Sequence, residues 1–134
     1  MNANNERQRV LVVDDDAATR VSAADALKRA GFEPKTAGTG ERALLILRQW
    51  PRHIDWLVTK PDLPGLVDGW MLADEFHQTH PGRPVLLASR DADRPSRTHA
   101  IVVAPASPAT VVEVLQRLTP SDPRPGQPVT AWAA

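Results

Sequence analysis

The stretch VLVVDDD, residues 10–16, is an unbroken apolar run that ends abruptly at three aspartates. An apolar run of this length, rich in valine, is typical of a strand that is buried on both faces of a sheet. The aspartates then follow the carboxyl end of that strand, and we predict that Asp16 caps the next helix. Ligands and chemistry gather at this edge in open parallel sheets, so the same stretch also predicts where a functional site lies.

Short β-branched runs and helical patterns alternate along the rest of the chain. They predict strands over 9–13, 32–37, 54–59, 84–88 and 100–103. They predict helices over 17–30, 39–50, 67–80 and 107–118. Strands that alternate with helices in this way predict an α/β fold, in which a doubly wound, five-stranded parallel sheet carries helices on both faces.

Each predicted helix has an apolar stripe, and most have a start or stop signal. Thr39 and Ser107 are predicted N-caps, Gly31 is placed to end the first helix, and Pro51 prevents the second helix from continuing. The residues expected to face the core are Val21, Ala24, Leu27, Ala43, Leu47, Trp50, Leu72, Ala73, Phe76, Val111, Leu115 and Leu118.

Composition excludes several classes of protein. The chain has 134 residues and no cysteine, which fits one domain without disulfides, thiolate metal sites or a cysteine nucleophile. Sixteen basic residues balance 16 acidic ones, so we expect no nucleic-acid partner. The apolar runs are too short for a membrane span or a signal peptide, and we expect a soluble, cytoplasmic protein with no membrane partner.

The chain divides into a body and a tail. Residues 8–119 carry all the predicted elements and form one expected domain. Residues 120–134 contain four prolines and no apolar periodicity, so we predict an extended or disordered C-terminal tail. Trp132 in this tail is either a partner anchor or a solvated side chain.

Five motifs in a fixed order carry a family resemblance. They are VLVVDDD at 10–16, LPG at 63–65, DGW at 68–70, PVLLAS at 84–89 and APASP at 104–108. Together they resemble the receiver domain of bacterial response regulators, over roughly residues 8–119. The resemblance implies a flavodoxin-like sheet with strand order 2-1-3-4-5. It also implies a phosphoryl group taken from a histidine kinase by an aspartate that ends the third strand, with Mg²⁺ held by an acidic pair.

The resemblance assigns roles to five positions and leaves two of them with the wrong residue. Asp14 and Asp15 match the acidic pair, and Ser89 matches the hydroxyl residue that binds phosphoryl oxygens after the fourth strand. Lys60 occupies the position of the phosphoacceptor aspartate, and an ammonium cannot form an acyl phosphate. Ala104 stands where the family has a lysine after the fifth strand. We therefore expect a degenerate receiver with no catalytic residue.

Two further positions depart from the family pattern. The aromatic position of the fifth strand falls on Ile101. Only residues 90–99 separate Ser89 from the fifth strand, and this polar segment contains a proline. We therefore predict that the fourth helix of the family is shortened or missing.

Lys60 suggests a physical replacement for the metal. An ammonium beside Asp14 and Asp15 would offset their charge. The crevice at the carboxyl ends of the strands would then be locked in one state without a cofactor. Any residual Mg²⁺ site would be formed by the same two aspartates. The alternative is that Lys60 is a solvated loop lysine.

The resulting hypothesis is a stand-alone receiver-like protein of two-component signalling that acts without phosphorylation, as a protein-interaction module and not as an enzyme. Its expected partner is a histidine kinase or another signalling protein. A homodimer through the last helix is also possible, because Val112 and Val114 fall off its inward stripe.

Other readings stay open. Asp62 in the loop 60–66 could be an alternative phosphoacceptor or a turn-stabilising aspartate. A nucleotide or flavin binder is disfavoured, because the acidic residues after the first strand would repel phosphate. His77 and His80 could ligate a metal, although no third ligand is evident, or could be surface residues at a helix C-terminus.

Overall fold

The computed structural model describes residues 7–50, 53–88, 100–103 and 107–119. The strands are β1 (Arg9–Val13), β2 (Glu33–Ala37), β3 (Trp56–Thr59), β4 (Val85–Ala88) and β5 (Ala100–Val103). The helices in these residues are α1 (Ala17–Arg29), α2 (Gly40–Gln49), α3 (Gly69–Thr79) and α4 (Pro108–Leu118). The strands are parallel and lie in the order β2-β1-β3-β4-β5. The predicted α/β class with a parallel sheet is confirmed.

β1 lies between β2 and β3, and core clusters cover both of its faces. Its register places Val13 opposite Ala37 of β2 and Thr59 of β3. Four of its five residues are buried. Because these three strands end level with one another, the residues that follow them meet at one edge of the sheet.

The side chains of β1 alternate between two core clusters. Leu11 and Val13 point to the cluster that includes Leu47 of α2 and Phe76 of α3. The side chains of Val10 and Val12 point to the opposite cluster, which contains Leu27 of α1 and Leu115 of α4. Helices therefore cover both faces of the sheet, with α2 and α3 on one side and α1 and α4 on the other.

Four side chains cap the helices at their N-termini. Asp16 accepts a hydrogen bond from the Thr19 N–H (2.9 Å), and Thr39, Asp68 and Ser107 make the equivalent bond to the third residue beyond each. The predicted caps at Asp16, Thr39 and Ser107 are thus confirmed. α3 begins two residues later than predicted, because Asp68 is its cap. Gly31 has a φ of +96°, as expected of a glycine that follows a helix.

Two residues predicted to face the core are instead exposed. Val21 is 57% exposed, because the buried pair of α1 is Ala23 and Leu27, and Val21 lies about 120° around the helix from Leu27 at 100° per residue. Trp50 is 46% exposed, because α2 ends at Gln49 and the backbone of Trp50 has left the helical conformation.

α4 packs more of its surface than predicted. Val111 and Leu115 are buried as expected, and Leu118 is partly buried. Val112 and Val114, predicted to lie off the inward stripe, are also partly buried against the same cluster. α4 contacts both α1 and the edge strand β5, so a wide stripe of the helix is covered.

Several predictions fall on residues outside the described ranges. These are the stop at Pro51, the shortened fourth helix at 90–99, and the tail at 120–134 with Trp132. Within the described ranges, every helix is too short or too polar to cross a membrane.

Candidate functional site

The carboxyl edge of the sheet brings the residues after β1 and β3 side by side. Asp14 directly follows β1, and Lys60 directly follows β3. The Lys60 N–H donates to the Val13 carbonyl (3.2 Å), and the Asp14 N–H donates to the Ala37 carbonyl (3.2 Å). These backbone bonds extend the sheet by one residue and fix where both side chains start.

Lys60 pairs with an aspartate of the loop after β1. Its Nζ donates to Asp15 Oδ1 at 2.9 Å, between residues 45 positions apart in the chain. The hydrogen bond from Lys60 is the main cause that lowers the pKa of Asp15 below its ordinary value. The side chains are 38% and 39% exposed, so water screens the pair and limits its contribution to stability.

Asp14 is held within its own loop. It is 8% exposed, and its Oδ1 accepts a hydrogen bond from the Asp16 N–H at 2.9 Å. Its carbonyl accepts a hydrogen bond from Arg20 Nη1 at 2.7 Å. Arg20 therefore brings a second cation to this acidic edge, in addition to Lys60.

Asp16 serves the helix and not the crevice. One of its carboxylate oxygens accepts from both the hydroxyl (2.6 Å) and the N–H (2.9 Å) of Thr19. These two bonds hold the pKa of Asp16 below its usual value. The third aspartate of the motif is thus an N-cap.

A backbone contact with α3 fixes the start of the Lys60 loop. The Gly69 N–H donates to the Pro61 carbonyl at 3.0 Å. A Cβ at Gly69 would lie only 2.1 Å from the Lys60 carbonyl oxygen, so the contact requires glycine. The Thr59 hydroxyl, which is fully buried, donates to the same carbonyl at 3.0 Å. This role of the glycine in the DGW motif was not predicted, because the local sequence gives no sign of the close approach.

The far end of the loop is fixed by α2. Glu41 Oε2 accepts a hydrogen bond from the Leu66 N–H at 2.8 Å, and this bond lowers the pKa of Glu41. Gly65 has a φ of +96° and lies against the same carboxylate. A Cβ at Gly40 would meet the Val67 carbonyl at 1.9 Å. Neither Gly40 nor Glu41 was predicted as part of the site. Both lie directly after the predicted cap Thr39, but their partners are distant in the sequence.

The structure brings together three of the predicted site residues. Asp14, Asp15 and Lys60 share the carboxyl edge, while the side chain of Asp62 is exposed in the loop that follows. Ser89 and Ala104 lie outside the described residues. Ile101 lies in β5 and pairs with Leu86 of β4.

The described residues do not fit a divalent cation at this edge. Among them, no three histidine or acidic side chains are placed to hold a metal. Mg²⁺ prefers carboxylate oxygens, but here the Lys60 ammonium contacts Asp15 and the Asp14 carboxylate accepts from a backbone N–H. A metal ion at this edge would compete with the Lys60 ammonium for Asp15.

His77 in α3 and His80 at its C-cap are both half-buried, and both have contacts within the fold. His77 Nε2 lies 2.8 Å from the Arg83 carbonyl oxygen. The His80 ring stacks on Phe76, with centroids 4.7 Å apart and planes 9° apart. Its Nδ1 is buried without a hydrogen-bond partner among the described residues, and burial lowers the pKa of His80.

Comparisons with known proteins show the family and the fold of the chain. Residues 10–107 match the family model of the response regulator receiver domain. The chain is 32% identical over 90 residues to the sensor histidine kinase RcsC of Escherichia coli (strain K12), which covers 67% of this chain but only 9% of the kinase. It is 40% identical over 50 residues to a probable chemotaxis protein CheY of Rhizobium etli, covering 37% of this chain and 39% of that protein. The chemotaxis response regulator CheY4 of Vibrio cholerae superposes with a TM-score of 0.70 at 22% identity, over 85% of this chain and all of that one, which shows a shared fold.

Proposed function

The chain belongs to the family of response regulator receiver domains of two-component signalling, and from this premise we propose that it works without being phosphorylated. The proposal rests on Lys60. This residue directly follows β3, where the family resemblance places the phosphoacceptor aspartate. The chain would then be a pseudo-receiver, which keeps the fold and has lost the covalent step.

The contacts of Lys60 support this reading. Transfer of a phosphoryl group to a carboxylate needs a carboxylate nucleophile, and an ammonium has no lone pair to offer. The Lys60 ammonium also donates to Asp15 at 2.9 Å, and this aspartate belongs to the pair that would hold Mg²⁺ in a working receiver. One substitution therefore removes the acceptor and places a positive charge where the metal would bind.

Without a covalent step, the chain acts by binding. We infer a protein-interaction module that is not an enzyme and has no bound cofactor. Receiver domains typically interact with histidine kinases and other signalling proteins, and such a protein is the partner we propose. A homodimer is a second form of the same activity.

The proposal is tested by incubating the protein with acetyl phosphate and Mg²⁺ and measuring its intact mass. We expect no phosphoryl adduct on the natural chain. The double variant Lys60→Asp with Ala104→Lys restores both family residues and is the positive arm, with a hydroxylamine-sensitive adduct as the expected result. A stoichiometric adduct on the natural chain would refute the proposal. If that adduct disappears in Asp62→Asn, then Asp62 is the acceptor.

A further inference from the structure

A groove lies between β2 and α2, on the face of the sheet that α2 covers. Its larger hollow has a volume of about 560 Å³ and is lined chiefly by Lys35, Thr36, Arg42, Leu45, Gln49 and Trp50. A smaller hollow of about 280 Å³ shares Lys35 and Trp50 and continues to Arg9, His53 and Ile54. We call the two together the β2–α2 groove. Because they adjoin at Lys35 and Trp50, the groove is elongated and suits an extended chain better than a compact ligand.

The groove combines exposed apolar surface with positive charge. Leu45 is 59% exposed and Trp50 is 46% exposed, and these are two of the five large hydrophobic side chains that are exposed in the described part of the chain. Among the described residues, the larger hollow is lined by the cations Lys35 and Arg42 and by no acidic side chain. In a chain with no net charge, this is a local excess of positive charge beside an apolar surface.

One cation of the groove, Lys35, lies near its apolar part. Lys35 Nζ lies 5.7 Å from the centre of the Trp50 ring, within range of a cation–π contact. The acidic residue that lines the smaller hollow, Glu33, lies 4.0 Å from the Arg9 guanidinium. In the larger hollow, an anionic ligand would therefore meet Lys35 and Arg42 with no carboxylate of the described residues in competition.

The edge of β2 favours recognition by side chains over the addition of a strand. The Glu33 N–H donates to Gln8, and the Ala37 carbonyl accepts from Asp14, so these two residues face β1. By the alternation of a strand, Pro34 and Thr36 face outward. Proline has no N–H, so of these two residues only Thr36 offers an outward backbone donor. An added strand therefore could not form a continuous hydrogen-bond ladder along this edge.

We propose that the β2–α2 groove binds an acidic segment of a protein partner that carries one large apolar side chain. The apolar side chain packs on Leu45 and Trp50, and flanking carboxylates pair with Lys35 and Arg42. Charge complementarity selects this occupant, since exposed indole and cationic side chains are typical of surfaces that anchor a protein partner. The inference rests on the proposed function only in that the chain acts through a partner, and phosphorylation has no part in it.

Fluorescence anisotropy tests the proposal on the full chain. The probe is a fluorescein-labelled peptide rich in Asp and Glu around a single Leu, and the comparison peptide has Asn and Gln in place of the acids. We expect the acidic peptide to bind more tightly, with an affinity that falls as salt rises because exposed charges are screened. Lys35→Glu with Arg42→Glu should weaken binding at least about tenfold, or 1.4 kcal/mol. Trp50→Ala should also weaken it, and Leu45→Ser replaces this variant if Trp50→Ala does not fold by circular dichroism.

A matched charge reversal controls for net charge. Lys28→Glu with Arg29→Glu changes the net charge by the same amount on the exposed last turn of α1, and it should leave the affinity unchanged within about twofold. The proposal is wrong if the control variant loses binding equally or if the amide peptide binds as tightly as the acidic one.

Two other occupants would also overturn it. A second copy of the chain would appear as a dimer in sedimentation that Trp50→Ala dissociates. The segment 120–134 would be the occupant if its deletion moved the Trp50 indole N–H resonance. None of these measurements uses a phosphoryl donor, so a failure here is distinct from a failure of the proposed function.

Discussion

Replacing Gly69 by alanine is expected to destabilise the protein and to disturb the loop that carries Lys60. The added Cβ would lie 2.1 Å from the Lys60 carbonyl oxygen and 2.9 Å from both the Lys60 carbonyl carbon and Pro61 Cα. Real Cβ atoms essentially never come within 3.0 Å of such atoms. All three are backbone atoms, so no side chain can rotate to make room.

The size of the effect follows from the distance that must open. Moving the oxygen from 2.1 Å to at least 3.0 Å requires a shift of about 0.9 Å, from the difference of the two values. Overpacking that forces backbone shifts costs about 1–3 kcal/mol, and the rigid backbone here places the clash at the upper end. Alanine gains at most about 1 kcal/mol over glycine in a helix, and less at the first helical residue. The expected net loss is about 2 kcal/mol.

Urea unfolding followed by circular dichroism measures this loss. Gly82→Ala is the matched control, because a Cβ there meets nothing within 4 Å and its φ is not positive. That variant should be neutral or stabilised by about 0.4–1 kcal/mol. If Gly69→Ala unfolds at the same urea concentration as the natural chain, the close approach of α3 to Lys60 does not hold.

The other predictions concern titratable groups. Lys60→Met should raise the pKa of Asp15, since the hydrogen bond from Lys60 is the main cause of its lowering, and ¹³C NMR of the carboxyl carbon measures it. Because the folded pKa of Asp15 is depressed, the stability it contributes is present above its unfolded pKa and lost as pH falls through the folded value, so the natural chain and Lys60→Met should converge in acid. An unchanged Asp15 pKa would contradict the pairing. The pKa of His80 is also lowered in the folded state. The stability that depends on His80 is therefore complete above about pH 6.5, its unfolded pKa, and falls at lower pH because the unfolded state is protonated before the folded one. His80→Phe keeps a ring against Phe76, and its urea midpoint should fall less than that of the natural chain between about pH 7 and pH 5. An equally steep fall in His80→Phe would show that another group is responsible.

The parts of the fold that depend on residues close together in the sequence could be predicted from it. The strand β1 is marked by its valine run, and the caps Asp16, Thr39 and Ser107 each satisfy an N–H three residues ahead. These signals need no knowledge of distant contacts. The stripe of α3 at Leu72, Ala73 and Phe76 was predicted for the same reason and is buried.

The parts that depend on distant contacts could not be read in this way. Glu41 meets Leu66 across 25 positions, and nothing in either local sequence indicates that pairing. The sequence placed Lys60 near both aspartates of the expected pair. It could not show that Asp15 accepts from the ammonium while the carboxylate of Asp14 turns to the Asp16 N–H, because loop geometry decides where each side chain points.

At the carboxyl edge, the position of the Lys60 loop does not depend on the charge of Lys60. An ion pair in which each side chain is more than a third exposed contributes at most about 1 kcal/mol, so the pair with Asp15 cannot hold the loop by itself. The contacts made by Gly69 and Glu41 involve backbone atoms at both ends of the loop and do not depend on the ammonium. The loop would therefore keep its shape whichever residue follows β3, and the lysine changes the chemistry of the edge and not the architecture around it. On the proposed function, a receiver fold without its phosphoacceptor would keep the same outer surfaces, and the β2–α2 groove proposed as a docking site is one of them.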